Sequence, residues 1–173
     1  MFHLDTINTA SFVLKICREQ NLLIATAESC TGGLIAGCLT EVAGSSRVLD
    51  CGFITYSNEA KNSVLQVPLK IIDQYGAVSK EVACAMAEGA LQKSRAHIAI
   101  ACTGVAGPTG GTDAKPVGLV YIACVLKNNG ISHKHYNFGG NRNTIRTSTV
   151  DAALQLIIDK LKITRHQEPH SLI

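Results

Sequence analysis

The apolar run Leu22-Leu23-Ile24-Ala25 leads into Thr26-Ala27-Glu28-Ser29-Cys30-Thr31-Gly32-Gly33 and then into Leu34-Ile35-Ala36. This stretch narrows the fold more than any other. A strand that passes through a tight glycine-bearing loop straight into a helix is a building step of layered α/β domains. The alternation recurs along the chain. Thr6 to Gln20 predicts an opening helix with Ile7, Phe12, Val13, Leu14 and Ile16 as its apolar set. The first strand is predicted over Leu22 to Thr26, with the following helix running to about Glu41. A second strand spans Val48 to Tyr56, Ser57-Asn58 caps a short helix to about Leu65, and Pro68 opens another that ends at Gly76. Ser79 caps a helix to about Lys93, with Glu81 in its first turn, and His97 to Cys102 reads as a buried strand. Asn128-Asn129-Gly130, between apolar runs at 117–126 and 131–138, predicts a hairpin before a last helix from about Asn143 to Leu161.

Helix–strand alternation followed by a hairpin predicts one layered α/β domain with a mixed sheet flanked by helices, over residues 1–165, and a flexible tail over 166–173. In such sheets ligands collect at the carboxyl ends of strands. The three leading strands end at Ser29, Tyr56 and Thr103, so their loops are expected to meet along one edge.

Composition removes several function classes. Hydrophobic residues are 46% and charged residues 17%, a globular balance. No apolar run approaches the ~20 residues of a membrane span, and Met1-Phe2-His3-Leu4-Asp5 lacks the basic start of a secretory signal. A cytoplasmic protein is expected. A net charge of +3, 5% aromatics and no Trp give no basic stripe or stacking platform for nucleic acid. The mildly basic stretch Lys160 to His170 reads as a solvated helix end. The seven cysteines are scattered, odd in number and never spaced C-x-x-C, which argues against a disulfide framework or a zinc site. Cys30 is the exception to watch, since it adjoins Ser29 in the loop.

Ser29 is a weak nucleophile unless a base takes its proton. The six histidines are terminal, on the hairpin or, for His97, at the start of a buried strand, so a Ser-His-Asp triad is disfavoured. Lysine is the alternative base, and Lys61, one turn into the helix after Tyr56-Ser57-Asn58, is the candidate. Desolvation there would lower its pKa, although a solvent-facing lysine is the commoner fate of such a position. Ser29 and Thr31 also read simply as helix-capping residues. The loop from Cys102 to Gly111 holds four glycines in ten residues, which suits backbone approach to a ligand, with Thr103 supplying a hydroxyl. Arg142 and Arg146 share one helix face and suit a phosphate or carboxylate, or else are solvated.

Five segments together resemble the CinA C-terminal domain family: TAESCTGG (26–33), GFITYSNEAK (52–61), YGAVSKEVACAMAEGA (75–90), TGVAGPTGG with KPVG (103–118), and the Arg142–Arg146 pair. The resemblance covers nearly the whole chain. It implies a stand-alone amidohydrolase that converts nicotinamide mononucleotide and water to nicotinate mononucleotide and ammonia, without metal or other cofactor. Ser29 would be the nucleophile and Lys61 the base, with Tyr56 and Thr103 completing the catalytic network. Glu28, Thr31, Gly32, Gly33, Asn58, Gly104, Gly107, Arg142 and Arg146 would form the substrate site. Backbone N–H groups between Thr31 and Gly33, or at Gly104, would hold the oxyanion. The resemblance further implies a homo-oligomer, most simply a dimer; from composition, no nucleic-acid or membrane partner is expected. Thr109 and Asn141 depart from the family pattern, where acidic residues are common. A non-catalytic nucleotide-binding paralogue of the same fold is the alternative, and a hydrolase using Cys30 is a third.

Overall fold

A computed structural model describes residues 2–167, with side chains to Leu161. In chain order the elements are α1 (Leu4–Glu19), β1 (Ile24–Glu28), α2 (Leu34–Thr40), β2 (Leu49–Ile54), α3 (Asn58–Leu65), α4 (Leu69–Tyr75), α5 (Lys80–Gln92), β3 (Ile98–Gly104), β4 (Leu119–Leu126), β5 (Ile131–Asn137) and α6 (Arg142–Gln167). The strands form one five-stranded sheet in the order β2-β1-β3-β4-β5. β1 pairs parallel with β2 and β3, whereas β3–β4 and β4–β5 are antiparallel. This is the mixed sheet that the alternation and the hairpin predict. Of the expected tail, residues 166 and 167 belong to α6 and the remainder lies outside the described residues.

Side-chain alternation along the strands builds two different cores. Ile98, Ile100 and Cys102 of β3 face one layer, with Ile24 of β1 and the inner faces of α1, α2 and α6. Ala99 and Ala101 face the other, with Ala25, Ala27 and Ala123. The opposing helix α5 brings Ala83, Ala87 and Ala90 to that small-residue floor. Small against small lets α5 lie close to the sheet, and β1 and β3 are buried on both faces, as parallel strands under two helix layers must be.

The same closeness makes Gly89 of α5 obligatory. A Cβ there would sit 2.1 Å from the Leu65 carbonyl oxygen at the end of α3. In an open helix, glycine to alanine gains about 1 kcal/mol. Here Gly89→Ala is expected to lose about 2 kcal/mol through overpacking, a fall in Tm of about 4–8 °C. Thermal unfolding reads the sign directly.

The strands end later than the apolar runs suggest. β1 extends to Glu28 and β3 to Gly104, so Glu28 and Thr103 are strand residues rather than loop residues. Beyond β1 the ladder continues on both sides: Ser29 N–H donates to the Cys102 carbonyl at 3.1 Å and Thr55 N–H to the Glu28 carbonyl at 2.9 Å. The Ser29 turn is thereby pinned between β3 and the end of β2.

Candidate active site

The N-terminus of α2 attracts an anion, and that anion belongs to the chain itself. Glu28, fully buried, accepts from the N–H groups of Gly33 (3.0 Å), Ile35 (3.0 Å) and Ala36 (2.9 Å) and from the Thr31 hydroxyl (2.7 Å). Both carboxylate oxygens are engaged, so Glu28 caps α2. Gly33 is the N-cap residue at φ 98°, a conformation that favours glycine. The capping group is therefore Glu28, not the Ser29 or Thr31 side chain that proximity suggests. Gly32 N–H donates to the Ser29 carbonyl at 3.1 Å and Gly33 N–H to Glu28, so neither is free to hold an oxyanion. Between Thr31 and Gly33, only the Thr31 N–H lacks an acceptor among the described residues.

Lys61 points inward. It lies on the face of α3 that also carries Leu65, one turn on, and both are buried. Ser57 fixes the start of this helix by accepting from Ala60 N–H at 3.0 Å. At 1% exposure Lys61 is among the largest fully buried side chains of the molecule, so the solvent-facing alternative is excluded. Its ammonium donates to Ser29 Oγ at 3.1 Å, to the Thr55 carbonyl at 2.9 Å and to the Tyr56 carbonyl at 3.3 Å. Burial pushes the Lys61 pKa down, partly offset by the Cys30 and Cys102 thiols nearby. When Lys61 is neutral, the two carbonyls take its two N–H groups and the lone pair is left for the Ser29 hydroxyl. Ser29 keeps 8% exposure beside it.

Tyr56 and Thr103 sit differently from the expectation. Tyr56 reaches Lys61 through its backbone carbonyl. Its side chain is 60% exposed, and its hydroxyl accepts from Arg142 at 3.2 Å. The buried Thr103 hydroxyl donates to the Ala77 carbonyl at 2.8 Å, tying β3 to the α4–α5 connection and not to Ser29. Arg142 also donates to the Gly107 carbonyl at 2.8 Å, so it joins the β2–α3 loop to the glycine-rich loop. Arg146 donates to the Thr31 carbonyl at 2.6 Å, directly behind the Ser29 turn. Asn58 is exposed in the first turn of α3. Asn141 accepts from Thr144 N–H at 3.0 Å and so caps α6.

Gly104 and Gly107 of the 104–118 loop serve the chain's own packing. A Cβ on Gly104 would meet the Leu119 carbonyl oxygen at 2.7 Å, and one on Gly107 would meet Val117 at 2.5 Å. Val105 N–H donates to Leu119 O, Gly118 N–H donates to Val105 O, and the Lys115 ammonium donates to the Tyr75 carbonyl at 2.6 Å. The loop is thus folded against β4 and latched to α4. Sequence reasoning had no way to find the Thr55, Tyr56 and Ala77 carbonyls, because a backbone acceptor carries no residue-type signal. His97, set aside from catalysis, accepts from Leu23 N–H through Nδ1 at 2.9 Å and closes the start of the sheet.

Among the described residues no group of three or more His, Cys, Asp or Glu could hold a metal ion, and no helix is long and apolar enough to cross a membrane. Cys30 is 5% exposed. What the arrangement offers chemically is a serine hydroxyl at a turn, a buried amine against it, and two arginines tying the surrounding loops together.

Comparison with known proteins bears on the whole of this unit. The CinA C-terminal domain matches residues 6–161. A CinA-like protein of Geobacter sulfurreducens is 49% identical over 91% of the chain, and a putative competence-damage inducible protein of Caldicellulosiruptor bescii is 47% identical over 86%. The chain spans only 37% and 36% of those relatives' lengths. The crystal structure of the competence/damage inducible protein CihA from Agrobacterium tumefaciens superposes with a TM-score of 0.91 at 46% identity, covering 92% of this chain and 98% of that one. A CinA superfamily protein of Escherichia coli superposes at 0.84 with 33% identity, covering 90% of each chain. The chain belongs to the CinA C-terminal domain family.

Proposed function

We propose that this protein is an amidohydrolase that converts nicotinamide mononucleotide and water to nicotinate mononucleotide and ammonia through a serine nucleophile and a lysine base. The observation that carries the reading is the buried Lys61 amine 3.1 Å from Ser29 Oγ. A structural lysine gains nothing from burial against a serine, whereas a base gains a lowered pKa and a fixed direction. Neutral Lys61 takes the Ser29 proton as Oγ attacks the carboxamide carbon. The resulting ammonium returns that proton to the departing ammonia. Water, deprotonated by Lys61, then attacks the ester carbonyl; the acyl–Oγ bond breaks, the Lys61 ammonium returns the proton to Ser29 Oγ, and the carboxylate product leaves. Arg142 and Arg146, on the rim and behind the turn, are the candidates for the polar end of the substrate. The chain is read as acting in the cytoplasm, as a homodimer.

The lowered Lys61 pKa sets the pH dependence. Because the neutral amine is the active form, kcat/KM is expected to rise with pH and level off below the ordinary lysine value of 10.5. A profile that is flat from pH 6 to 10 would exclude Lys61 as the base.

The reading is tested by incubating the purified protein with nicotinamide mononucleotide, without added metal, and following ammonia and nicotinate mononucleotide. Turnover is expected. Thermal stabilisation by the nucleotide with no ammonia released would identify a binding paralogue instead.

A further inference from the structure

The Ser29 turn is clamped at Thr31 and Gly32 and left open next to the nucleophile. The Thr31 hydroxyl donates to Glu28 at 2.7 Å and lies 3.1 Å from the Cys102 sulfur. The peptide unit that follows is held by both of its polar groups. Gly32 N–H donates to the Ser29 carbonyl at 3.1 Å, and the Thr31 carbonyl accepts from Arg146 Nη2 at 2.6 Å. The second contact matters because Gly32 has φ 62°. Glycine takes either sign of φ at little steric cost, so hydrogen bonds rather than sterics hold this peptide in its orientation. A flip would break the Gly32 bond and turn the Thr31 oxygen to the side where that N–H now meets the Ser29 carbonyl. The N–H groups of Cys30 and Thr31, the first two after the nucleophile, have no acceptor among the described residues. Both residues are buried, at 5% and 0% exposure, where orphaned N–H groups are rare. In serine hydrolases the N–H of the residue after the nucleophile is a usual oxyanion donor.

Arg146 is committed to this turn. A Cβ on Gly32 would lie 3.5 Å from its Nη2, its Nε is buried without a partner, and no carboxylate pairs with it among the described residues. Arg142, one turn earlier on α6, is exposed and reaches the Tyr56 hydroxyl and the Gly107 carbonyl on the rim.

We infer that Arg146 is a positioning residue that acts through the Thr31 carbonyl to hold the Cys30 and Thr31 N–H groups ready for the oxyanion, leaving the substrate's polar end to Arg142. As Ser29 Oγ bonds to the carboxamide carbon, the carbonyl π pair moves onto oxygen, and the two N–H groups donate to it. When the C–N bond breaks, that pair returns to the carbonyl and ammonia leaves with the proton that Lys61 carries. Donors fixed in advance cost no reorganisation at that moment, and this is the advantage that the Arg146 contact secures. The guanidinium also places a positive charge behind the peptide unit next to those donors.

The inference rests on the reading of Ser29 as nucleophile, and the test separates the two. Arg146→Met and Arg146→Lys are compared with wild type in two assays on the full chain, each protein being folded by circular dichroism at the assay temperature. One follows ammonia release from nicotinamide mononucleotide. The other follows the rate at which an alkyl fluorophosphonate, which has no nucleotide portion, labels Ser29. In labelling, Oγ bonds to phosphorus, fluoride leaves and the serine proton passes to Lys61, while charge builds on the phosphoryl oxygen and calls on the same N–H groups. For Arg146→Met, kcat and the labelling rate are expected to fall together by about 10²-fold, with KM within about threefold of wild type. Arg146→Lys still has a donor for one carbonyl oxygen and should recover at least about tenfold of that loss.

A raised KM with labelling at the wild-type rate would make Arg146 a ligand of the substrate's phosphate and overturn the inference. An unchanged kcat in Arg146→Met, or an Arg146→Lys protein as impaired as Arg146→Met, would overturn it too. If Arg146→Met does not fold, Arg146→Lys decides, since its kcat and labelling rate must fall by the same factor with KM held. Should wild type label at Ser29 but release no ammonia, the amidase reading fails alone and the labelling rates decide the role of Arg146. A wild-type protein that neither labels nor turns over overturns both.

Discussion

Ser29→Ala is expected to lower kcat by about 10⁴-fold or more while leaving the fold intact. The hydroxyl makes one side-chain contact, to Lys61, so its removal costs no more than about 1 kcal/mol of stability and Lys61 retains the Thr55 and Tyr56 carbonyls. The loss falls on the chemical step because no neighbour can stand in. Cys30 is 5% exposed, and the Thr31 and Thr103 hydroxyls are held by Glu28 and the Ala77 carbonyl. Cys30→Ala, by contrast, is expected to keep most of the activity. Paired kcat and Tm measurements check both halves.

Replacing Lys61 has the second largest effect. Lys61→Met removes the base and should lower kcat roughly 10³-fold. Lys61→Arg should not rescue it, because a guanidinium does not give up its proton at any working pH. A stability signature accompanies the loss. The folded pKa of Lys61 lies below the unfolded value of 10.5, so between the two the unfolded chain binds more protons than the folded one. Wild-type stability therefore carries the full cost of burying the ammonium below the folded pKa, and regains it as pH rises towards 10.5. Lys61→Met lacks this titration. The Tm difference, wild type minus Lys61→Met, is expected to climb from neutral pH to about pH 10. A difference that does not change with pH would mean that Lys61 is not desolvated as described.

The architecture was legible because its signals are apolar and periodic. The 22–25 run, the capping serines Ser57 and Ser79, and Asn128-Asn129-Gly130 mark elements that the structure contains, within a few residues at each end. The ends missed share one cause. Glu28 and Thr103 are polar, so the apolar runs stop before them. Both are satisfied by partners outside their own strands: the start of α2, a few residues on, for Glu28 and the Ala77 carbonyl for Thr103. A buried polar residue is invisible to hydrophobic patterning for as long as its partner is unknown. Lys61 illustrates the same limit, since type and spacing allow either face of α3 and its buried position is visible only in the fold. The glycine-rich loop meets a related limit. Glycine reports that something comes close, and at Gly104 that neighbour is the Leu119 carbonyl.

The central claim is that Ser29 and Lys61 act as nucleophile and base, and the most direct measurement is ammonia release from nicotinamide mononucleotide by wild type, Ser29→Ala and Cys30→Ala in parallel. The account predicts turnover by wild type and Cys30→Ala and none above background by Ser29→Ala. Turnover by a folded Ser29→Ala protein, or its loss in Cys30→Ala alone, would contradict it.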